Sequence, residues 1–374
     1  MASAAVFVML SVERSIRTWR HGFLTLFGMT KAQSASLTDM AVDVLDKRRT
    51  EIPLPRRGGP NKIAGPSGKP LLVIVEGTDV DAMVDAGLEA IGGMKRVIGG
   101  NREVLLKPNT NQRDPFPSIT DPATIRAVAT HCRAAGAERV VVHEDHKREL
   151  DYYYEPAELP GMDLRLAHAP TREDFVLVGF DGWRGDMPVP SIPESGASGM
   201  LERLRSYEPQ PAGGLRIARE IQMAPVVINM PVLKRHFAGQ ITSALKNHFG
   251  SVYGPHRWLA HASLDTNRDY YDRKLAEFAS AVRPELTITD VRSLQAVFGP
   301  HRSDDTRIVD GVNRLIVTGD MVAADVVAMD IVKHHDVTFT AQNEAIIRRQ
   351  HEHAEELGLG CSDLSKFEVV ELKV

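Results

Sequence analysis

The chain has 374 residues and a formal net charge of −4, with 43% apolar and 25% charged residues. That is the composition of a soluble globular protein, without the domain-wide basic face that general nucleic-acid binding uses. Its two cysteines, Cys132 and Cys361, are too few for a Cys₄ iron–sulfur cluster or a zinc finger.

Residues 1–70 read as an N-terminal extension followed by a Pro/Gly linker. Ala4–Leu10 and Phe23–Met29 are apolar runs of seven, far short of the ~20 residues that span a bilayer. Arg14, Arg17 and Arg20 precede Phe23-Leu24 and the small-residue tract at Ala32. Two readings stay open: a degenerate export signal, or an extension upstream of a start at Met29 on a cytoplasmic protein. The second is preferred. Ile52–Pro70 holds five Pro and four Gly, a linker composition.

Residues 71–374 are predicted to form a single α/β domain. Leu71–Glu76 has the apolar run of a buried strand, and Val80–Ile91 has helical spacing up to Gly92-Gly93. Val104–Lys107 is a second strand, ending in Pro108-Asn109. Asp121-Pro122 before Ile125 and Val128 marks a helix start, and Arg139–His143 is the next strand. This alternation predicts a three-layer fold, a mostly parallel sheet with helices on both faces.

Asp163–His168 and Phe175–Val178 also read as strands. Residues 180–214, rich in Pro, Gly and Ser, read as an irregular insertion. The Tyr152-Tyr153-Tyr154 run before it reads as a packing patch. After residue 264, the spacing of Tyr271, Leu275, Phe278 and Val282 predicts a helix. Glu285–Thr289 reads as a strand ending in Asp290, and Arg314–Thr318 as a strand leading to Asp320 and another helix. His351 and His353, two apart on a later helix, read as surface residues.

The most informative stretch is Pro225–His261. An apolar strand run closes at Pro231, and Lys234, Arg235 and His236 follow. A short helical pattern (Ile241, Ala244, Leu245) leads into Lys246-Asn247-His248, and a Gly254-Pro255 turn leads to His256, Arg257 and His261. No Asp or Glu occurs between Ile221 and Leu264. A cationic, glycine-containing segment after a buried strand suits an anion. Ligands of open α/β sheets sit beyond the strands' carboxyl ends, and Lys107, Asn109, His143, Glu144, Asp145, Lys234, His236, Asp290 and Asp320 all fall at expected strand ends. Loops of the Gly-x-x-x-x-Gly-Lys-Ser/Thr, Gly-x-Gly-x-x-Gly and Gly-x-Ser-x-Gly types are absent.

Four segments carry a resemblance: Val104–Asn109, Asn229–His236, Leu245–Gly250 and Gly319–Asp325 resemble the signature of the domain of unknown function 362 family. Members often carry a ferredoxin-like module, so any redox partner that the resemblance implies for this chain would be a separate protein. A second motif, His236-Phe237-Ala238-Gly239 with Lys246 and His261 downstream, resembles the lactate racemase family, although Ser243-Ala244-Leu245 stand where that family has glycines. That likeness implies a lysine-tethered nickel cofactor, a histidine metal ligand (His236 or His261) and histidine acid–base chemistry.

The resulting expectation is an enzyme acting on a small carboxylate or phosphate compound, possible isomerase chemistry included. Lys234, His236, Lys246 and His261 are its catalytic candidates. Lys107, Asn109, Asn247, Asp290 and Asp320 are its cofactor-binding candidates. The open alternatives are a non-catalytic module that binds a nucleotide, organic anion or divalent metal, and a redox protein served by an iron–sulfur partner.

Overall fold

A computed structural model describes residues 53–59, 61–111, 114–144, 164–167, 169, 172–179, 214–262, 264 and 267–374. The readings made of residues 1–50, of Asp145, of Tyr152–Tyr154 and of nearly all of the insertion lie outside these.

In the first half, β1 (Leu54–Pro55), β2 (Leu71–Glu76), α1 (Val80–Ala90), α2 (Met94–Ile98), β3 (Glu103–Lys107), α3 (Pro122–Ala134) and β4 (Arg139–His143) follow in turn. Then come β5 (Leu164–Ala167), β6 (Phe175–Gly179), β7 (Leu215–Ala218), α4 (Arg219–Met223), β8 (Val227–Asn229), β9 (Val232–His236) and β10 (Gln240–Thr242). The last part holds α5 (Gly254–Ala262), α6 (Arg268–Val282), β11 (Leu286–Ala296), β12 (Arg307–Val309), β13 (Arg314–Thr318), α7 (Met321–His335), α8 (Ala341–Glu356) and β14 (Glu368–Lys373).

The main sheet runs β14-β2-β13-β11-β8-β3-β4-β5, with β9, β10 and β12 attached beside β11. Along that path every pairing is parallel except the two made by β13. Alternate residues of each strand feed opposite faces, because the side-chain period is two. Leu72, Leu105, Val141, Val227 and Ile316 join one apolar core with α6, α7 and α8. Val73, Leu106, Val140, Ile228 and Val317 join a second core with α1 and α3. Two cores on two faces make the expected three-layer α/β fold. The caps are legible too: Asp79, Asp121, Asp320 and Thr340 each accept a first-turn backbone N–H.

Three local readings are corrected. The pattern around Ile241 is not helical: Gln240–Thr242 is β10, folded antiparallel onto β9 with Gln240 paired to His236. Its turn is closed by the His236 ring rather than by an intrahelical ladder. Second, β11 does not stop at Asp290 but continues to Ala296, because β9, β12 and β13 supply partners along its length. Third, His351 is 2% exposed. The buried stripe of α8 runs Ile347, Gln350, His351, Ala354, the i, i+3, i+4, i+7 face turned to the core.

The Pro/Gly-rich span before Leu71 is tied to the domain. Leu54–Pro55 pairs with β6 in a small second sheet, β1-β6-β7. Buried Arg57 donates to the carbonyls of Val282, Arg283 and Ala224 and to the Glu285 carboxylate.

Candidate functional site

The period of β9 puts Lys234 and His236 on one face and Leu233 and Arg235 on the other. On the second face the Arg235 guanidinium is 3.1 Å from the Asp336 carboxylate and lies over the Phe339 ring. On the first face Lys234 is wholly buried and its ammonium meets three oxygens: Asn109 Oδ1 at 3.0 Å, Asn111 Oδ1 at 2.9 Å and the Ser118 carbonyl at 2.5 Å. Three acceptors use all three N–H bonds of an ammonium. Burial pushes the group down to about 7, opposed by the Glu144 and Asp114 carboxylates.

Lys107, the last residue of β3, is held by two acceptors. Its ammonium donates to Glu144 Oε1 at 2.5 Å and to the Pro108 carbonyl, while Glu144 Oε2 accepts the Thr110 N–H. An asparagine relay joins the two lysines. Asn109 Nδ2 donates to Asn247 Oδ1, and Asn247 Nδ2 donates to the Lys107 carbonyl and to Asn229 Oδ1. Thus Lys107, Asn109, Asn247 and Lys234 converge, as a saturated internal frame.

The chemistry-bearing groups sit beside that frame. His236 Nδ1 accepts the backbone N–H groups of Ala238 (3.0 Å) and Gly239 (3.2 Å). Its lone pair is therefore occupied and Nε2 carries the hydrogen. His261, on α5, has the opposite tautomer: Nδ1 lies 2.9 Å from the Arg257 carbonyl and donates to it, which leaves a lone pair on Nε2. The two rings are 6.4 Å apart, and the His261 ring meets those of Phe249 and Tyr271 edge to face. Burial, then the neighbouring Lys246, His261 and Lys234 side chains, whose protonated forms would repel a second charge, hold His236 well below the usual imidazole range. Burial, then Lys246, pushes His261 down to about 3. Both rings are neutral at physiological pH.

Lys246 opens the 3₁₀ turn Lys246–Ser251. Its Nζ stands 3.4 Å from the centroid of the Phe249 ring, and no oxygen of a described residue accepts from it. The side chain is nearly buried, at 8% exposure. Burial first, then the Arg257 and Lys234 charges, push this amine well below the usual lysine range. Gly239 allows the approach, since a Cβ there would lie 3.3 and 3.4 Å from Lys246 Cδ and Cε. From α7, buried Asp325 accepts the Ala244 N–H at 2.6 Å and the Leu245 N–H at 3.3 Å, anchoring the backbone just before Lys246.

The two remaining acidic candidates sit elsewhere. Asp290 is held by Thr124 and by the Arg292 guanidinium, which also reaches Asp121. That ion-pair group ties β11 to the start of α3. Asp320 follows β13, whose antiparallel direction leads it away from the carboxyl ends of β3 and β8. It caps α7 and accepts the Cys361 N–H.

The donor set does not fit a protein-held metal ion. Among the described residues no three His, Cys, Asp or Glu side chains converge. His236 has no free lone pair while Nδ1 accepts two N–H bonds, so His261 Nε2 is the single imidazole donor in this cluster.

Asn111, Asn229, Phe249 and Asp325 were not singled out from the sequence as site residues, and Glu144 was read only as a strand-end polar residue. Asn229 left a trace, as a polar side chain inside an apolar strand run. Asn111 and Phe249 lie two and three residues from Asn109 and Lys246, while Asp325 reaches the site only through long-range packing.

The family model for a domain of unknown function (DUF362) matches residues 104–330. A thylakoid-associated protein of Synechocystis is 29% identical over 254 residues, 66% of this chain and 68% of that protein. Among solved structures, the lactate racemase apoprotein from Thermoanaerobacterium thermosaccharolyticum aligns with a TM-score of 0.44 and 12% identity, over 75% of this chain and 62% of that one. A Thermotoga maritima protein aligns with a TM-score of 0.37 and 9% identity, over 75% and 59%. The match thus spans less than two thirds of either solved chain. No helix among the described residues is long and apolar enough to cross a membrane.

Proposed function

The chain belongs to the DUF362 family, and we propose that it is an enzyme that moves a proton on a small organic anion, an isomerase-like reaction. The opposed tautomers of His236 and His261 carry this reading. A neutral imidazole with Nε2–H donates a hydrogen bond that stabilises a developing oxyanion, and one with a bare Nε2 is a general base. Both are held in those forms by backbone partners, Ala238 and Gly239 for one and Arg257 for the other. A substrate between them would lose a proton from carbon to His261 while its oxygen takes the His236 hydrogen bond, and His261 would return the proton in the reverse direction.

The anionic character of the substrate rests on charge. Lys234 and Arg257 raise the local positive potential, and an anion would be drawn to it. The buried frame of Lys107, Lys234 and the asparagines keeps the β9–β10 hairpin and the 3₁₀ turn in register, so the two histidines and Lys246 stay aligned.

Hydrogen–deuterium exchange at carbon tests the reading. The protein is incubated in D₂O with a panel of small hydroxy and oxo acids, and label at the carbon beside the carbonyl or hydroxyl is read by mass spectrometry. Enzyme-dependent exchange is expected, falling about 10²–10⁴-fold in His236→Gln and in His261→Gln, the usual contribution of one acid or base. Exchange that persists at the wild-type rate in both variants would refute the assignment.

A further inference from the structure

We infer that the Lys246 amine condenses with the carbonyl carbon of a small 2-oxo acid to form an imine. This deepens the acid–base reading above and names the substrate class of the same site.

Three other buried lysines show how this fold holds a cation. Lys107 has Glu144 and a carbonyl, Lys234 has three oxygens, and Lys274 has Glu277 at 2.6 Å. Lys246 breaks the pattern, with the Phe249 ring in place of any oxygen. An ammonium buried without an acceptor is costly, whereas a neutral amine sheds most of that cost. The ring face can take an N–H of the amine, leaving the nitrogen lone pair to attack. The positive neighbours that disfavour a charged Lys246, Arg257 and Lys234, favour a carbonyl compound that carries a carboxylate.

The step balances with groups already present. The amine lone pair forms the C–N bond as the carbonyl π bond opens. The first N–H proton passes from the nitrogen to the oxygen, which the His236 Nε2–H holds by a hydrogen bond. The hydroxyl then leaves as water with the remaining N–H proton of the same nitrogen, giving C=N and one H₂O from C=O and NH₂. Protonation of that imine makes the adjacent C–H acidic, so a neutral His261 Nε2 can remove its proton. Lysine thereby supplies the electron sink for the proposed proton transfer.

The experiment uses the full chain with glyoxylate or pyruvate and cyanoborohydride, which freezes an imine as a stable secondary amine, followed by peptide mapping. Lys246 is expected to be labelled more than about tenfold faster than exposed Lys366 and Lys373, since each unit of lowered pKa multiplies the amine fraction about tenfold. The oxo acid should exceed formaldehyde in selectivity for Lys246, and His261→Gln should keep the adduct. Labelling of Lys246 no faster than that of Lys366 and Lys373 would overturn the proposal. Carbon exchange without an adduct sinks the imine but leaves the histidine pair standing. An adduct without exchange does the reverse.

Discussion

Replacing Glu144 by Gln removes one charge from the frame and leaves its shape almost unchanged. The Lys107 and Glu144 side chains are 0% and 5% exposed. Each carboxylate oxygen has its own donor, Lys107 Nζ at 2.5 Å and the Thr110 N–H at 2.7 Å. A Gln amide offers one oxygen and one NH₂, so in either orientation one of those donors faces another donor. The Lys107 ammonium also loses its only ion pair. Breaking a buried pair from one side costs about 3–5 kcal/mol, a large share of the ~5–15 kcal/mol that holds a typical protein folded. Urea unfolding at pH 7, followed by circular dichroism, should show a loss of that size. Lys107→Met with Glu144→Gln should recover part of it, because the unpaired ammonium is then gone. A single-variant loss under about 1 kcal/mol would mean that water reaches the pair, and the argument for a saturated frame would fall.

Gly250→Ala puts a Cβ 2.7 Å from Glu144 Oε1 and 3.1 Å from Lys107 Nζ; with both atoms pinned, it should cost about 1–3 kcal/mol in thermal or urea unfolding, and a neutral result would show the pair to be yielding. His351, pushed down to about 4 by burial, stays neutral in the fold, so its stability contribution is intact above pH 6.5 and drains away as pH falls toward 4. His351→Leu should therefore lose about 3 kcal/mol less than the wild type between pH 7 and 4, and parallel acid profiles would contradict this. Arg257→Gln removes a charge that holds the Lys246 amine down, so the pH profile of Lys246 acylation, read by peptide mapping, should move to higher pH. An unmoved profile would take Arg257 out of that environment.

Much of the architecture was legible because it is written in short-range patterns. Apolar runs such as Arg139–His143 and Arg314–Thr318 are strands as read, and Asp121-Pro122 starts its helix where a cap and a proline should. The acid-free stretch also holds several of the side chains that cluster in the fold, Lys234, His236, Lys246, Asn247 and His261. Its charge balance did not follow, because Asp325 and Asp336 reach the segment from outside. Local spacing carries no record of such partners.

The direction of β13 was hidden for a similar reason: a buried strand has the same apolar pattern whichever way it runs. Its place after a strand made Asp320 a site candidate, and the antiparallel pairing takes it away. Residue identity alone therefore determined the layers, the helix starts and the stretch that holds the clustered lysines and histidines. Only the tertiary structure decided which lysines are consumed by oxygens and which one is left against a ring, and which nitrogen of each histidine keeps its proton. Those outcomes depend on hydrogen-bond partners many residues away, or on the turn and helix that backbone N–H and carbonyl groups enter, and period and composition do not encode them.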